Sequence, residues 1–398
     1  MSSGHHAVVI RNSEEAQGFL QEIGVDGGAY TYLLPKAIYR CIKLKQIPCR
    51  AANIIKQEML SKGGEAAVKR DALSFEGNTD VLLMGNLKHY RLLLEKLRLQ
   101  PFGLKRLATQ IQSILDGMDG PACKLLMNGG QSLEIGARTL IMGILNVTPD
   151  SFSDGGKFMF KEQAVAHALQ MQAQGADIID IGGASSRPGA QLLPEDEEIN
   201  RVLPVVEELL QHNLIISVDT FRAKVAALCL AAGAHIINDI GRLQLDPELL
   251  PVITAAQAPV VLMHNRLQFD QDKPYDDLIS DIVSELQDSI SQAVNAGVEE
   301  SRIIIDPGIG FGKTPAQSRL LIKHLEEFKS LGRPILIGAS RKSFIGQTLG
   351  LGVDERLEGS LGVTAMSIMN GADIIRVHDV RESKRVALMC DAVMHENG

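Results

Sequence analysis

The sequence predicts a (β/α)8 barrel preceded by a small α+β domain, and three observations carry that reading. From about residue 140 onward, eight short apolar runs alternate with amphipathic helical runs, a rhythm of β–α units spread over about 260 residues. Nearly every apolar run stops at a polar or glycine-rich segment, so polar residues would gather at one end of the sheet. The first 120 residues lack this rhythm. A doubly wound open sheet is the alternative. Eight near-equal units with polar strand ends favour the closed form.

The strand candidates, in order, are Leu140–Leu145, Asp177–Gly182, Leu214–Asp219, His235–Ile240, Pro259–His264, Ile303–Asp306, Pro334–Gly338 and Ile374–His378. Each is apolar almost throughout, as a strand buried on both faces of a parallel sheet must be. Helical stretches separate them, among them Gln163–Gly175, Ala223–Gly233, Asp276–Gly297 and Ala316–Gly332. Several end at glycine, which takes the left-handed backbone of a helix C-terminus without strain. Ahead of the first strand, Leu125–Met127 and Ser132–Ile135 flank Asn128-Gly129-Gly130, a hairpin signature placed to plug the barrel floor. In the first 120 residues, Val81–Met84 and Ala7–Ile10 read as strands, and Ala51–Leu60, His89–Leu97 and Leu104–Leu115 as helices. Pro101-Phe102-Gly103 breaks the last two apart. The division expected is a domain of residues 1–120 without a chemical motif and a barrel of residues 121–398.

Composition excludes several functions. The 398-residue chain is 45% hydrophobic and 22% charged, the texture of a soluble globular protein. A net charge of −8 without a basic block argues against general nucleic-acid binding. No apolar run is long enough to span a membrane, and the N-terminus lacks the pattern of a secretion signal. Five scattered cysteines, with no CxxC pair, point to reduced thiols in a cytoplasm rather than to zinc or disulfides.

The chemistry lies at the strand ends. Asp306 closes an apolar run and opens DPGIGFGKT, whose three glycines let a ligand approach the backbone beside Phe311 and Lys313. The third strand ends at Asp219 and the fourth at Asn238-Asp239. Together with Asp306 these suit a flat heterocycle carrying several N–H groups. Asn146 ends the first strand and offers a hard neutral ligand suited to Mg²⁺ or to orienting a phosphate. The loop behind it, NVTPDSFSDGG, has the polar make-up of a segment that closes over substrate. The second strand runs into GGASSRPGA, where Arg187 can meet an anion. The seventh enters ASRKSFIG, where Arg341, Lys342 and Ser343 open a short helix, so cationic side chains and helix N–H groups can meet one anion. On the eighth, Arg376 and His378 alternate, so both face one side as an anion clamp. At the fifth, Met263 reads as pocket wall and His264 as a satisfied barrel histidine.

Seven segments in this order, NVTPDSFSDGG, RPGA, SVDT, NDI, DPGIGFGKT, SRKSFIG and RVHD, resemble the dihydropteroate synthase family of pterin-binding TIM barrels over residues 122–396. The resemblance implies a cytoplasmic, Mg²⁺-dependent transferase of folate biosynthesis, a homodimer and a sulfonamide target. Such an enzyme condenses 6-hydroxymethyl-7,8-dihydropterin diphosphate with 4-aminobenzoate. It implies that Asp219, Asn238, Asp306 and Lys342 hold the pterin, and that Asn146, Arg376 and His378 bind diphosphate, with the metal at Asn146. Ser186, Arg187, Pro188, Phe311, Lys342 and Ser343 would form the aminobenzoate site, which Asp150 and Phe152 close late. Asp306, Lys342, Arg376 and His378 would carry the catalysis. The chain departs from the family at Ala184, where an acid is usual, and at Ser186, where threonine is usual. It departs again in MHNR after the fifth strand. A corrinoid-linked pterin methyltransferase shares the strand-end Asp and Asn residues but has no use for a diphosphate site. A catalytically dead pterin-binding or scaffold protein, with its work done by the N-terminal domain, would not need Asn146, Asp306, Lys342, Arg376 and His378 together.

Overall fold

The computed structural model describes residues 4–74, 76–120, 123–127, 131–147, 157–183, 193–266 and 274–396. The chain divides into two compact units, Met1–Asp119 and Gly120–Gly398.

In the first unit, β1 (Tyr39–Pro48), β2 (Glu65–Val68) and β3 (Asn78–Asn86) form an antiparallel sheet in the order β1-β3-β2. Its helices are α1 (Ser13–Ile23), α2 (Tyr30–Ala37), α3 (Cys49–Ser61), α4 (Leu87–Leu97) and α5 (Leu104–Met118). Since β1 and β2 both run antiparallel to β3, they are parallel to each other and α3 is their crossover. Alternation along β1 and β3 puts Ile42, Leu44, Val81 and Leu83 on one buried face, against Ile55 and Leu94 of the helices. Residues Ala7–Ile10, expected as a strand, form none. Val8 and Val9 are 48% and 67% exposed, and β1 is the strand that pairs with β3.

In the second unit, the hairpin β4 (Cys123–Leu126) and β5 (Ser132–Ile135) precedes eight parallel strands. These are β6 (Leu140–Asn146), β7 (Ile178–Gly182), β8 (Ile216–Asp219), β9 (Ile236–Asp239), β10 (Val260–Met263), β11 (Ile303–Asp306), β12 (Leu336–Ile337) and β13 (Ile374–Val377). They pair in the order β11-β10-β9-β8-β7-β6-β13-β12. A parallel bridge between Ile305 and Ile335 joins the two ends and closes the barrel. Around it lie α6 (Lys157–Ala173), α7 (Glu195–Leu209), α8 (Ala223–Ala232), α9 (Leu249–Ala256), α10 (Leu278–Asn295), α11 (Pro315–Lys323), α12 (Ser343–Leu349), α13 (Leu357–Met369) and α14 (Val380–Met394). The stretch Ala316–Gly332 is not one helix. Its backbone leaves helical geometry at His324 (φ −107°, ψ 22°) and continues as a 3₁₀ turn, Leu325–Leu331.

Two apolar shells hold the barrel. Outward-facing strand residues pack on the helices. Inside, Leu140, Ile178, Ile236, Val261, Ile304, Leu336 and Ile374 form one layer, and Leu125 and Ile135 of the hairpin cover it from below. The hairpin's two strands are paired, and its turn, 128–130, lies outside the described residues. With the floor filled by hydrocarbon, polar side chains have room only at the opposite end.

Candidate active site at the barrel mouth

A step of two along a strand keeps a side chain on the same face. Starting from the apolar floor, that step leads from Ile178 to Asp180, from Ile236 to Asn238, from Ile304 to Asp306 and from Ile374 to Arg376. Four strands thus exchange an isoleucine for a polar group one layer up. Asp219 joins them at the end of β8, and Gly338 opens space beside Arg376, whose Cβ and Cδ lie 3.7 Å from where a Cβ at 338 would stand.

Arg376 organises this layer. Its Nε donates to Asp180 Oδ2 at 2.6 Å and its Nη2 to Asp219 Oδ2 at 2.7 Å, while Asn238 Nδ2 donates to the same Asp180 oxygen at 3.0 Å. Asp180 is fully buried and its Oδ1 has no hydrogen-bond partner among the described residues. Burial pushes the Asp219 carboxyl upward, against the pull of Arg376. Asp180 was not among the residues expected from sequence, although an acid inside the run Ile178–Ile181 was the available signal.

Across the mouth, Asp306 Oδ1 accepts the Gly308 N–H at 2.7 Å and starts the glycine-rich loop. Gly308 has φ +71°, and a Cβ there would stand 1.8 Å from the His264 carbonyl oxygen, so only glycine fits. The loop seats Phe311, 9% exposed, under Lys342, whose Nζ lies 4.5 Å from the ring centroid and donates to the Ile309 carbonyl. Burial lowers Lys342 to about 8, opposed by the Asp306 carboxylate; burial raises Asp306, opposed by Lys342. Each of the two charges thus favours the charged form of the other.

The rim holds the remaining residues. Asn146 ends β6 exposed, and Ser343 opens α12 exposed. Alternation placed Arg376 and His378 in one clamp. In the structure Arg376 reaches its two carboxylates, and His378, exposed one step of two further along, lies 3.1 Å from Ser340 Oγ. Arg341 pairs with Asp379, while Lys342 of the same segment lies over the Phe311 ring. Asp150, Phe152, Ala184, Ser186, Arg187 and Pro188 lie outside the described residues. Among the described residues no three His, Cys, Asp or Glu side chains converge on a metal position. Asn146 alone fits a hard cation that takes its other ligands from water and substrate phosphate.

The model of the family described as pterin binding enzyme matches residues 142–378. A dihydropteroate synthase of Bacillus subtilis is 48% identical over 262 residues, 66% of this chain and 90% of that one. A probable bifunctional folylpolyglutamate synthase/dihydropteroate synthase of Halobacterium salinarum is 38% identical over 386 residues, 96% of this chain and 46% of that one. The solved structure of a Xanthomonas albilineans dihydropteroate synthase in complex with 7,8-dihydropteroate is 39% identical, with a TM-score of 0.63, over 69% of this chain and 99% of that one. With a closed barrel, a polar mouth and these likenesses, the chain belongs to the pterin binding enzyme family, among its dihydropteroate synthases.

Proposed function

We propose that the chain condenses 6-hydroxymethyl-7,8-dihydropterin diphosphate with 4-aminobenzoate, releasing diphosphate and 7,8-dihydropteroate, as a transferase of folate biosynthesis. The observation that carries this reading is the polar layer itself. Carboxylates at Asp219 and Asp306, an amide at Asn238 and a cation at Lys342 line one apolar-floored mouth. The 2-amino-4-oxo edge of a pterin presents N–H donors and a carbonyl acceptor, which this set complements. The diphosphate then faces Asn146, Arg376 and His378. Phe311, Lys342 and Ser343, with Ser186, Arg187 and Pro188, receive 4-aminobenzoate, and Asp150 and Phe152 close the site.

The C–O bond to diphosphate breaks with both electrons leaving on oxygen. The positive charge left on the pterin methylene is shared by the heterocycle and stabilised by Asp306. The arylamine lone pair forms the new C–N bond and the amine loses a proton. Arg376 and His378 hold the departing anion. Mg²⁺ held at Asn146 would add charge stabilisation on the same phosphates.

A pH–rate profile tests the assignment of Lys342. Lys342 is protonated below about 8 and neutral above it. The kcat/KM for pterin diphosphate is therefore expected to fall as pH rises through that value. Lys342→Arg keeps its charge to higher pH, so its alkaline limb should move upward. An unmoved limb would remove Lys342 from the pterin site.

The working unit proposed is a homodimer. Helices α13 and α14 expose Met366, Met369, Leu388, Met389 and Val393, each more than half accessible. Such an apolar face seeks cover, and a second copy of the same helices supplies it. Sedimentation should give twice the chain mass, and Leu388→Glu with Met389→Glu should give the monomer. A wild-type monomer at assay concentration would contradict the assignment. No helix among the described residues is long and apolar enough to cross a membrane. The free thiols Cys41, Cys49, Cys229 and Cys390 suit a cytoplasmic location.

A further inference from the structure

Glu285, on α10, is an anion shared by the loops that follow two neighbouring strands, and through them it reaches a third. After β9, Arg242 pairs with its Oε2. After β10, His264 Nε2 lies 3.1 Å from Oε2, and Arg266 Nε donates to Oε1 at 3.1 Å. Arg266 also stacks 3.9 Å from the Tyr275 ring centroid. Burial works against the Glu285 charge, but hydrogen bonds from His264 and Arg266 overcome it and hold the carboxyl well below its usual range.

The chain of contacts continues past His264. Its Nε2 faces a carboxylate oxygen, so that nitrogen carries the hydrogen and Nδ1 is the acceptor. Lys313 Nζ donates to Nδ1 at 3.0 Å, to the His264 carbonyl at 3.3 Å and to the Phe311 carbonyl at 3.0 Å. Three acceptors thus surround the Lys313 nitrogen. Burial lowers Lys313 well below its ordinary value, opposed by the Asp306 carboxylate. Burial also lowers His264 to about 3, so the imidazole is neutral throughout the working range. Lys313 is directed at protein atoms rather than at the open mouth, which sets it apart from Lys342.

We propose that Lys313 is a positioning residue for the arylamine. Tied to Glu285 through His264, it fixes the Phe311 carbonyl and thereby the ring that lies under Lys342. This inference rests on reading Phe311 as a wall of the 4-aminobenzoate site. The loop ends of β10 and β11 are locked together by a side chain that touches no substrate, and the loss of that lock should reach one substrate more than the other.

Lys313→Met keeps the length and removes the donors. The expected result is a KM for 4-aminobenzoate raised about tenfold, with kcat within about threefold of wild type and pterin diphosphate affinity unchanged. Glu285→Gln, which keeps the shape and removes the anion, should shift the same constant in the same direction. Phe311→Ala measures the underlying reading. An unchanged KM for aminobenzoate in Phe311→Ala would sink the site assignment and the inference with it. A raised KM in Phe311→Ala beside a wild-type KM in Lys313→Met would overturn the inference alone. Equal losses for both substrates in Lys313→Met would make the lysine merely structural and overturn it too. If circular dichroism shows Lys313→Met unfolded, Glu285→Gln decides, and a wild-type KM there counts against the proposal.

Discussion

Asp306→Asn is expected to lower kcat by about two to three powers of ten, as removal of one preorganised electrostatic group from a transition state does. Asparagine keeps the size and can still accept the Gly308 N–H, so the loop start survives. What disappears is the negative charge beside the methylene that becomes positive when diphosphate leaves. Asp306 is 4% exposed, so water does not replace that charge. The effect should fall on kcat more than on pterin binding, because a neutral asparagine still offers an amide oxygen to a pterin N–H. Single-turnover kinetics with saturating substrates, alongside pterin affinity by titration, would separate the two. A variant with near wild-type single-turnover rates would remove Asp306 from charge stabilisation and leave it a structural cap.

Arg376→Ala should damage both ligand binding and the fold. Its guanidinium lies between Asp180, fully buried, and Asp219, with distances of 2.6 and 2.7 Å. Removing the cation leaves two acids facing each other without it, a type of loss that costs about 3–5 kcal/mol when a buried pair is broken. The thermal midpoint should drop by several degrees. Pterin diphosphate should weaken much more than the free hydroxymethyl pterin, since only the former has an anion to lose. Arg376→Ala with Asp180→Asn should recover part of the stability and none of the diphosphate affinity. Equal weakening of both ligands would take Arg376 out of the diphosphate site.

The barrel was legible because its strands are buried on both faces, and long apolar runs ending in polar residues advertise that burial. The runs around Ile304 and Val261 sit where expected within one or two residues. The polar layer was legible only where it coincided with a strand end, as at Asp219 and Asp306. Asp180 sits inside its run, two residues before Gly182, and single-residue inspection reads it as an interruption; counting by twos from Ile178 would have found it. Arg376 shows what pattern alone leaves out. Its face, shared with His378, follows from alternation, but Arg376 is long enough to swing to the buried acids of β7 and β8, which sequence distance conceals. In the first unit, β1 carries alternating Ile42, Lys43, Leu44 and Lys45, the pattern of a half-buried strand, and went unread. Ala7–Ile10 has strand-like composition, but among the described residues no strand pairs with it.

The central claim is that the pterin ring sits on the layer formed by Asp219, Asn238, Asp306 and Lys342. A crystal structure of this protein with 6-hydroxymethylpterin tests it most directly. The expected density shows the 2-amino-4-oxo edge within hydrogen-bond distance of Asp219, Asn238 and Asp306, with Lys342 donating to the ring from above Phe311. Pterin density away from the mouth, or at the mouth with these four side chains turned from it, would contradict the account.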